Sequence, residues 1–170
     1  MFDVSENEGF ELIPAGDYEA YVSDVTTPSV INGKMVSQLS YTIRGDIEGQ
    51  GAAGRSIKFD YFSDADNMKW KISSLAKALG FFDNPETSKN VNGVKKLAFN
   101  SFEEFILACL NKPLKINVGQ DLYTNNKGEE KEKNTIEKYL PTEHADFTAP
   151  VVETTVMETA DSEGLEELPF

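Results

Sequence analysis

Residues 35–62 read MVSQLSYTIRGDIEGQGAAGRSIKFDYF. In the first ten, Leu39, Tyr41 and Ile43 alternate with Gln38, Ser40, Thr42 and Arg44. After a glycine-rich connector, Ile57, Phe59 and Tyr61 alternate with Ser56, Lys58 and Asp60. Such period-two alternation of β-branched and aromatic residues marks strands buried on one face. Working backwards, residues 16–26 (GDYEAYVSDVT) set Tyr18, Ala20 and Val22 against Glu19, Tyr21 and Ser23, giving an earlier strand. Asn32-Gly33 marks a tight turn between the two.

Working forwards, the period changes. Over residues 67–79, Met68, Ile72, Leu75, Ala76 and Leu79 recur at helical spacing, with Asp66 or Asn67 as the expected N-cap and Gly80 as the stop. Trp70 lies on the opposite side of that wheel, with Ser74 and Lys77, and is expected to pack on Phe81–Phe82 or on a second subunit. A second helix opens with Ser101 and Glu104, the spacing of a capping box, and carries Phe102, Phe105, Ile106, Cys109 and Leu110 on one stripe. The segment between the helices, FFDNPETSKNVNGVKKL, has loop composition. Leu114, Ile116 and Val118 alternate in a fourth strand, and residues 134–140 (NTIEKYL) make a fifth, joined by the polar connector DLYTNNKGEEKEK. Three strands, a helical segment and two strands is the order of a five-stranded OB-fold barrel with its helical insertion between strands 3 and 4. The fold class expected is therefore mainly β with helices, residues 1–140 forming that domain and residues 141–170 a disordered acidic tail.

Charge distribution supports this division. The 170 residues carry a formal net charge of −13. Residues 141–170 supply eight acids and no Lys or Arg, while residues 44–140 hold 15 bases against 14 acids. A near-neutral body can present a basic groove, so the overall charge does not exclude a polyanionic ligand. The apolar fraction of 39% suffices for one core. No run of about 18 apolar residues is present, so no membrane helix is expected, and the acidic start MFDVSENEGFE is unlike a secretory signal.

Several chemistries are set aside on residue type and context. One cysteine, Cys109, and one histidine, His144, allow neither an internal disulfide nor a nitrogen–sulfur zinc site. Cys109 sits in an apolar helical stripe and reads as a buried thiol. Residues 49–54 (GQGAAG) match a dinucleotide-binding loop literally, yet they precede a strand where that site requires a helix. A Mg²⁺ nuclease built from Glu129 and Glu130 with Asp60, Asp64 and Asp66 is the enzyme alternative. Those acids fall in a connector and at a helix start, where solvation and capping account for them. No catalytic residue, metal or cofactor is expected.

The chain ends Glu163-Gly164-Leu165-Glu166-Glu167-Leu168-Pro169-Phe170. A terminal Phe can fill an apolar pocket while its carboxylate and the preceding acids meet a basic rim. This tip resembles the C-terminal tail of bacterial and phage single-stranded DNA-binding proteins. Residues 16–20 (GDYEA), the alternating second strand, Gly54-Arg55 and residues 136–141 (IEKYLP) are also similar to a family of such proteins from tailed bacteriophages. The resemblance covers most of residues 14–141 as well as the tip. It implies an OB-type fold, sequence-tolerant binding of single-stranded DNA in replication or recombination, no enzymatic activity, and a place in the cytoplasm of a bacterial host. Partner enzymes would be recruited through Glu166, Glu167, Leu168, Pro169 and Phe170, and self-association is left open.

Binding single strands without sequence preference needs cations for phosphates and flat rings for bases. OB folds present these on strands two and three and on the loops 1–2 and 4–5. That selects Lys34, Arg44, Arg55 and Lys58 from the first half and Lys115, Lys127, Lys131 and Lys133 from the second. The stacking residues expected are Tyr21, Phe62, Tyr123 and Tyr139. A tail of 30 residues has a coil reach of roughly 30 Å, enough for its acids to compete for the same groove. The alternative is an interaction protein or DNA mimic that captures host replication proteins without binding DNA.

Overall fold

A computed structural model describes residues 12–150 of the chain. In order, the elements are β1 (Gly16–Val25), β2 (Ser29–Ile31), β3 (Lys34–Ile43), β4 (Ser56–Ser63), a 3-10 turn at Asp66–Met68, α1 (Lys69–Ala78), β5 (Ser88–Val91), β6 (Val94–Leu97), α2 (Phe102–Cys109), β7 (Pro113–Thr124) and β8 (Glu130–Leu140). The fold is mainly β with two helices. Its antiparallel sheet runs β4-β3-β1-β7-β8, with short β2 added to the start of β3 and with β4 and β8 at its margins. No helix among the described residues is long and apolar enough to cross a membrane.

The alternation of β1, β3 and β7 sets the core. Ala20, Val22, Leu39, Tyr41, Ile43, Leu114, Ile116 and Val118 are buried together with Leu75 of α1 and Phe105, Ile106 and Cys109 of α2. Phe81, Phe99 and Phe105 meet edge to face, with ring centroids 5.3–6.0 Å apart, the arrangement that aromatic quadrupoles favour. Burial pushes the Cys109 thiol well above its ordinary pKa, and its Sγ–H donates to the Phe105 carbonyl at 3.3 Å.

Local signals hold at three turns and fail at one. Asn32 and Gly33 (φ 53° and 79°) are both left-handed and join β2 to β3 in the geometry that matches strand twist. Asn92 and Gly93 (φ 53° and 83°) do the same between β5 and β6, so part of the segment expected to be loop is a hairpin. Gly80 ends α1 as expected: its N–H bonds Lys77 O and the Phe81 N–H bonds Ala76 O, satisfying two terminal carbonyls. The start of α1 differs. Neither Asp66 nor Asn67 caps it, because the chain enters through the 3-10 turn with Met68 at the cap position.

At α2, Ser101 Oγ accepts the Glu104 N–H at 3.1 Å, while the Glu104 carboxylate reaches the Asn100 N–H at 2.9 Å. Ser101→Ala should cost about 1 kcal/mol, read as a lower urea midpoint with an unchanged slope.

Two sequence expectations about strands are corrected. The polar connector after residue 120 is largely strand: Asp121 pairs with Lys133, Leu122 with Glu132, Tyr123 with Lys131 and Thr124 with Glu130, extending β7 and β8 as an exposed arm. Within β4, Leu39 of β3 faces Asp60 but Tyr41 faces Ile57, which leaves one extra residue in β4 opposite Ser40. Phe59 takes the strain, with φ 70°. A bulge of one residue exchanges the two faces of a strand beyond it. Phe59 and Tyr61, expected inside, therefore project outward, and Phe62, expected outside, is fully buried at 0% exposure.

The expected start of the tail also moves. Residues 142–147 are held against β1 and the end of β3. The Thr142 hydroxyl and the Glu143 N–H both donate to the Glu19 carboxylate. Arg44 Nη1 donates to His144 O at 2.7 Å, and the Phe147 ring lies 5.1 Å from that of Tyr21.

Candidate functional site

The margins β4 and β8 face one another without forming a ladder. At one end they are locked by a buried cluster. The Asp60 carboxylate accepts from the Tyr41 hydroxyl at 2.7 Å and from the Tyr139 hydroxyl, and it pairs with Lys71 Nζ of α1 at 2.8 Å. The Lys71 ammonium also lies 4.5 Å from the Phe62 ring centre. Burial, with the adjacent Asp60 charge, pushes both tyrosines well above their ordinary pKa, so they remain donors.

At the other end the margins part around a cleft of ≈ 630 Å³. On its β4 side stand Lys58, Phe59 and Tyr61; on the other are Tyr123, Lys133 and residues 134–136. Phe59 is 64% exposed, an unusual position for a phenylalanine without a partner. Lys133 Nζ lies 5.6 Å from the Tyr123 ring centre, a cation–π contact that holds both over the cleft. Asp121, Glu129, Glu130 and Glu132 share the arm with Lys127 and Lys131, and Lys131 pairs loosely with Glu129 at 4.0 Å.

Of the residues selected from the sequence, the cleft brings together Lys58, Tyr123 and Lys133, with Lys127 and Lys131 on the adjoining arm. The rest lie elsewhere. Lys34 is exposed at the β2–β3 turn. Arg55 is half-buried at the entry to β4, its backbone bonded to Ala52 and Ile43. Phe62 is fully buried and Tyr139 half-buried against the core, their rings 6.1 Å apart.

Arg44, Lys115 and Tyr21 are engaged by residues 142–147 on another surface. Arg44 is 1% exposed and forks onto Asp46 at 2.9 and 2.8 Å, with Glu19 at 3.8 Å and the Phe147 ring 4.6 Å away. Lys115 pairs with Glu143, an ion pair that lowers the Glu143 pKa and raises that of Lys115. Glu166, Glu167, Leu168, Pro169 and Phe170 lie outside the described residues.

Sequence reading missed Phe59 and Tyr61 as surface aromatics and Lys71 as the partner of Asp60. Strict alternation hides the first two, since nothing local announces a bulge. The acids weighed as a nuclease site do not converge: Asp60 is held by two hydroxyls and an ammonium. Among the described residues no group of three or more potential ligands is placed to hold a metal.

No curated protein matches the chain. A family model described as "Protein of unknown function (DUF669)" matches residues 1–150, which takes in the whole sheet, both helices and the segment 142–147. With most of its length matched, the chain belongs to the DUF669 family.

Proposed function

We propose that the protein binds single-stranded DNA without sequence preference, in the cleft between β4 and β8. The observation that carries this reading is the set of exposed rings, Phe59, Tyr61 and Tyr123, standing beside Lys58 and Lys133. Rings of this kind attract flat, apolar faces. Unpaired bases offer such faces, whereas duplex bases are already stacked on each other. Lys58 and Lys133 meet phosphates, and Lys127 and Lys131 extend that contact along the arm.

The sheet order lends support. β4-β3-β1-β7-β8 is the order of an OB barrel opened between its third and fifth strands, and OB folds bind oligonucleotides on this side. The resemblance to phage single-stranded DNA-binding proteins points the same way. On this reading the protein covers transient single strands during phage replication or recombination, and Glu166–Phe170 tether partner enzymes.

A titration with oligo(dT) and a matching duplex tests the proposal. Oligo(dT) should bind more tightly, with a log–log salt slope of about −0.7 per phosphate contacted. Phe59→Ala should weaken it by about 1–3 kcal/mol, roughly 5- to 150-fold, without lowering stability, since the ring is exposed. Preference for the duplex would overturn the reading, and no binding to either would overturn it in favour of the DNA-mimic alternative.

A further inference from the structure

α1 starts next to the cleft. Lys71 Nζ donates to the backbone carbonyl of Tyr61, one of the cleft's rings, and so ties the first turn of the helix to that rim. Trp70, the only tryptophan in the chain, precedes Lys71 and is 67% exposed. Its ring is not among those that Phe81 meets, which are Phe99 and Phe105. Ser73 and Lys77 follow one and two helical turns later on the same face. Those two residues, with Phe82, Asp83 and Lys95, line a second recess of ≈ 500 Å³.

Charge accumulates there. Lys95 comes from the β5–β6 hairpin, whose other face sets Lys89 directly opposite Lys96. Like charges in register destabilise a two-stranded ribbon that is marginal by itself. Asp83 answers Lys95 at 3.3 Å, an exposed pair of little net worth. A polyanion along this recess would meet Lys77 and Lys95, and an exposed indole beside it would gain a stacking partner.

We propose that single-stranded DNA runs from the cleft past Tyr61 along the exposed face of α1, stacking a base on Trp70 and placing phosphates at Lys77 and Lys95. This extension rests on the cleft reading above. It adds roughly the length of α1, about 15 Å at 1.5 Å per residue, to the path.

Trp70 emission tests it in the full-length protein. Labelled oligo(dT) of about 6 and about 30 nucleotides brackets the roughly 4–16 nucleotides that OB-type modules occupy. Both should bind by anisotropy, but only the longer should quench Trp70. The exposed double variant Lys77→Glu/Lys95→Glu should bind the longer oligonucleotide about tenfold more weakly, with a salt slope shallower by about 1.4, and the shorter one normally. Unchanged emission with the long oligonucleotide, equal quenching by both, or wild-type affinity in the double variant would overturn the extension and leave the cleft reading intact. Failure of wild-type protein to bind either oligonucleotide would overturn both.

Discussion

Arg44→Ala is expected to destabilise the protein by about 3–5 kcal/mol, the usual result of removing one partner from a buried charge pair. Arg44 is closed over by Asp46, Thr142, His144 O and the Phe147 ring, beside a Glu19 whose side chain is almost as buried. Without the guanidinium, the buried Glu19 carboxyl loses its nearest cation and retains the Thr142 hydroxyl and the Glu143 N–H as hydrogen-bond donors. Segment 142–147 loses its central donor at the same time.

Urea unfolding at neutral pH measures the effect, and a loss under about 1 kcal/mol would refute the structural role. An arginine that served instead by touching DNA would show the converse pattern, intact stability with weakened binding. The pH dependence has a definite sign. The Arg44 hydrogen bonds hold the Asp46 carboxyl below its ordinary pKa. Its contribution is therefore present at neutral pH and is lost as pH falls through the depressed value.

Asp60→Ala should be comparably severe, about 3–5 kcal/mol, for a related reason. Three donors converge on this carboxylate: Tyr41 from β3, Tyr139 from β8 and Lys71 from α1. Removing it takes the shared acceptor from both hydroxyls and the counter-charge from the ammonium, which keeps its bond to the Tyr61 carbonyl. The ammonium is the most costly of them, because it is packed over the Phe62 ring. Asp60→Asn keeps one acceptor oxygen for the two hydroxyls but turns an NH2 donor towards the Lys71 ammonium, so it should fall between alanine and wild type. Thermal or urea unfolding of the pair decides this; equal stability of Asp60→Ala and wild type would refute the network.

The network also bears on the proposed binding cleft. It clamps β4 to β8 at the closed end of the cleft and so fixes the spacing of Phe59 and Tyr61 from Tyr123 and Lys133 at the open end. Binding by Asp60→Asn, compared at a temperature where it stays folded, reads how far that clamp preorganises the cleft.

Much was legible in the residue order alone. Alternation in β1, β3 and β7, the helical stripes of α1 and α2, the Ser101 cap, the Gly80 stop and the Asn32-Gly33 turn are local, governed by neighbours within a few residues, and the structure has them, except that Leu110 lies past the end of α2 and is exposed. The division into a near-neutral body and an acidic end is likewise a property of composition. Tertiary pairing decided the rest. Which rings of β4 face solvent depends on one extra residue accommodated opposite Ser40, a matter of register between strands. Whether Arg44 is a surface cation depends on Thr142 and His144, 98 and 100 residues further along. Burial and register are sums over distant contacts, and no short window of sequence contains them.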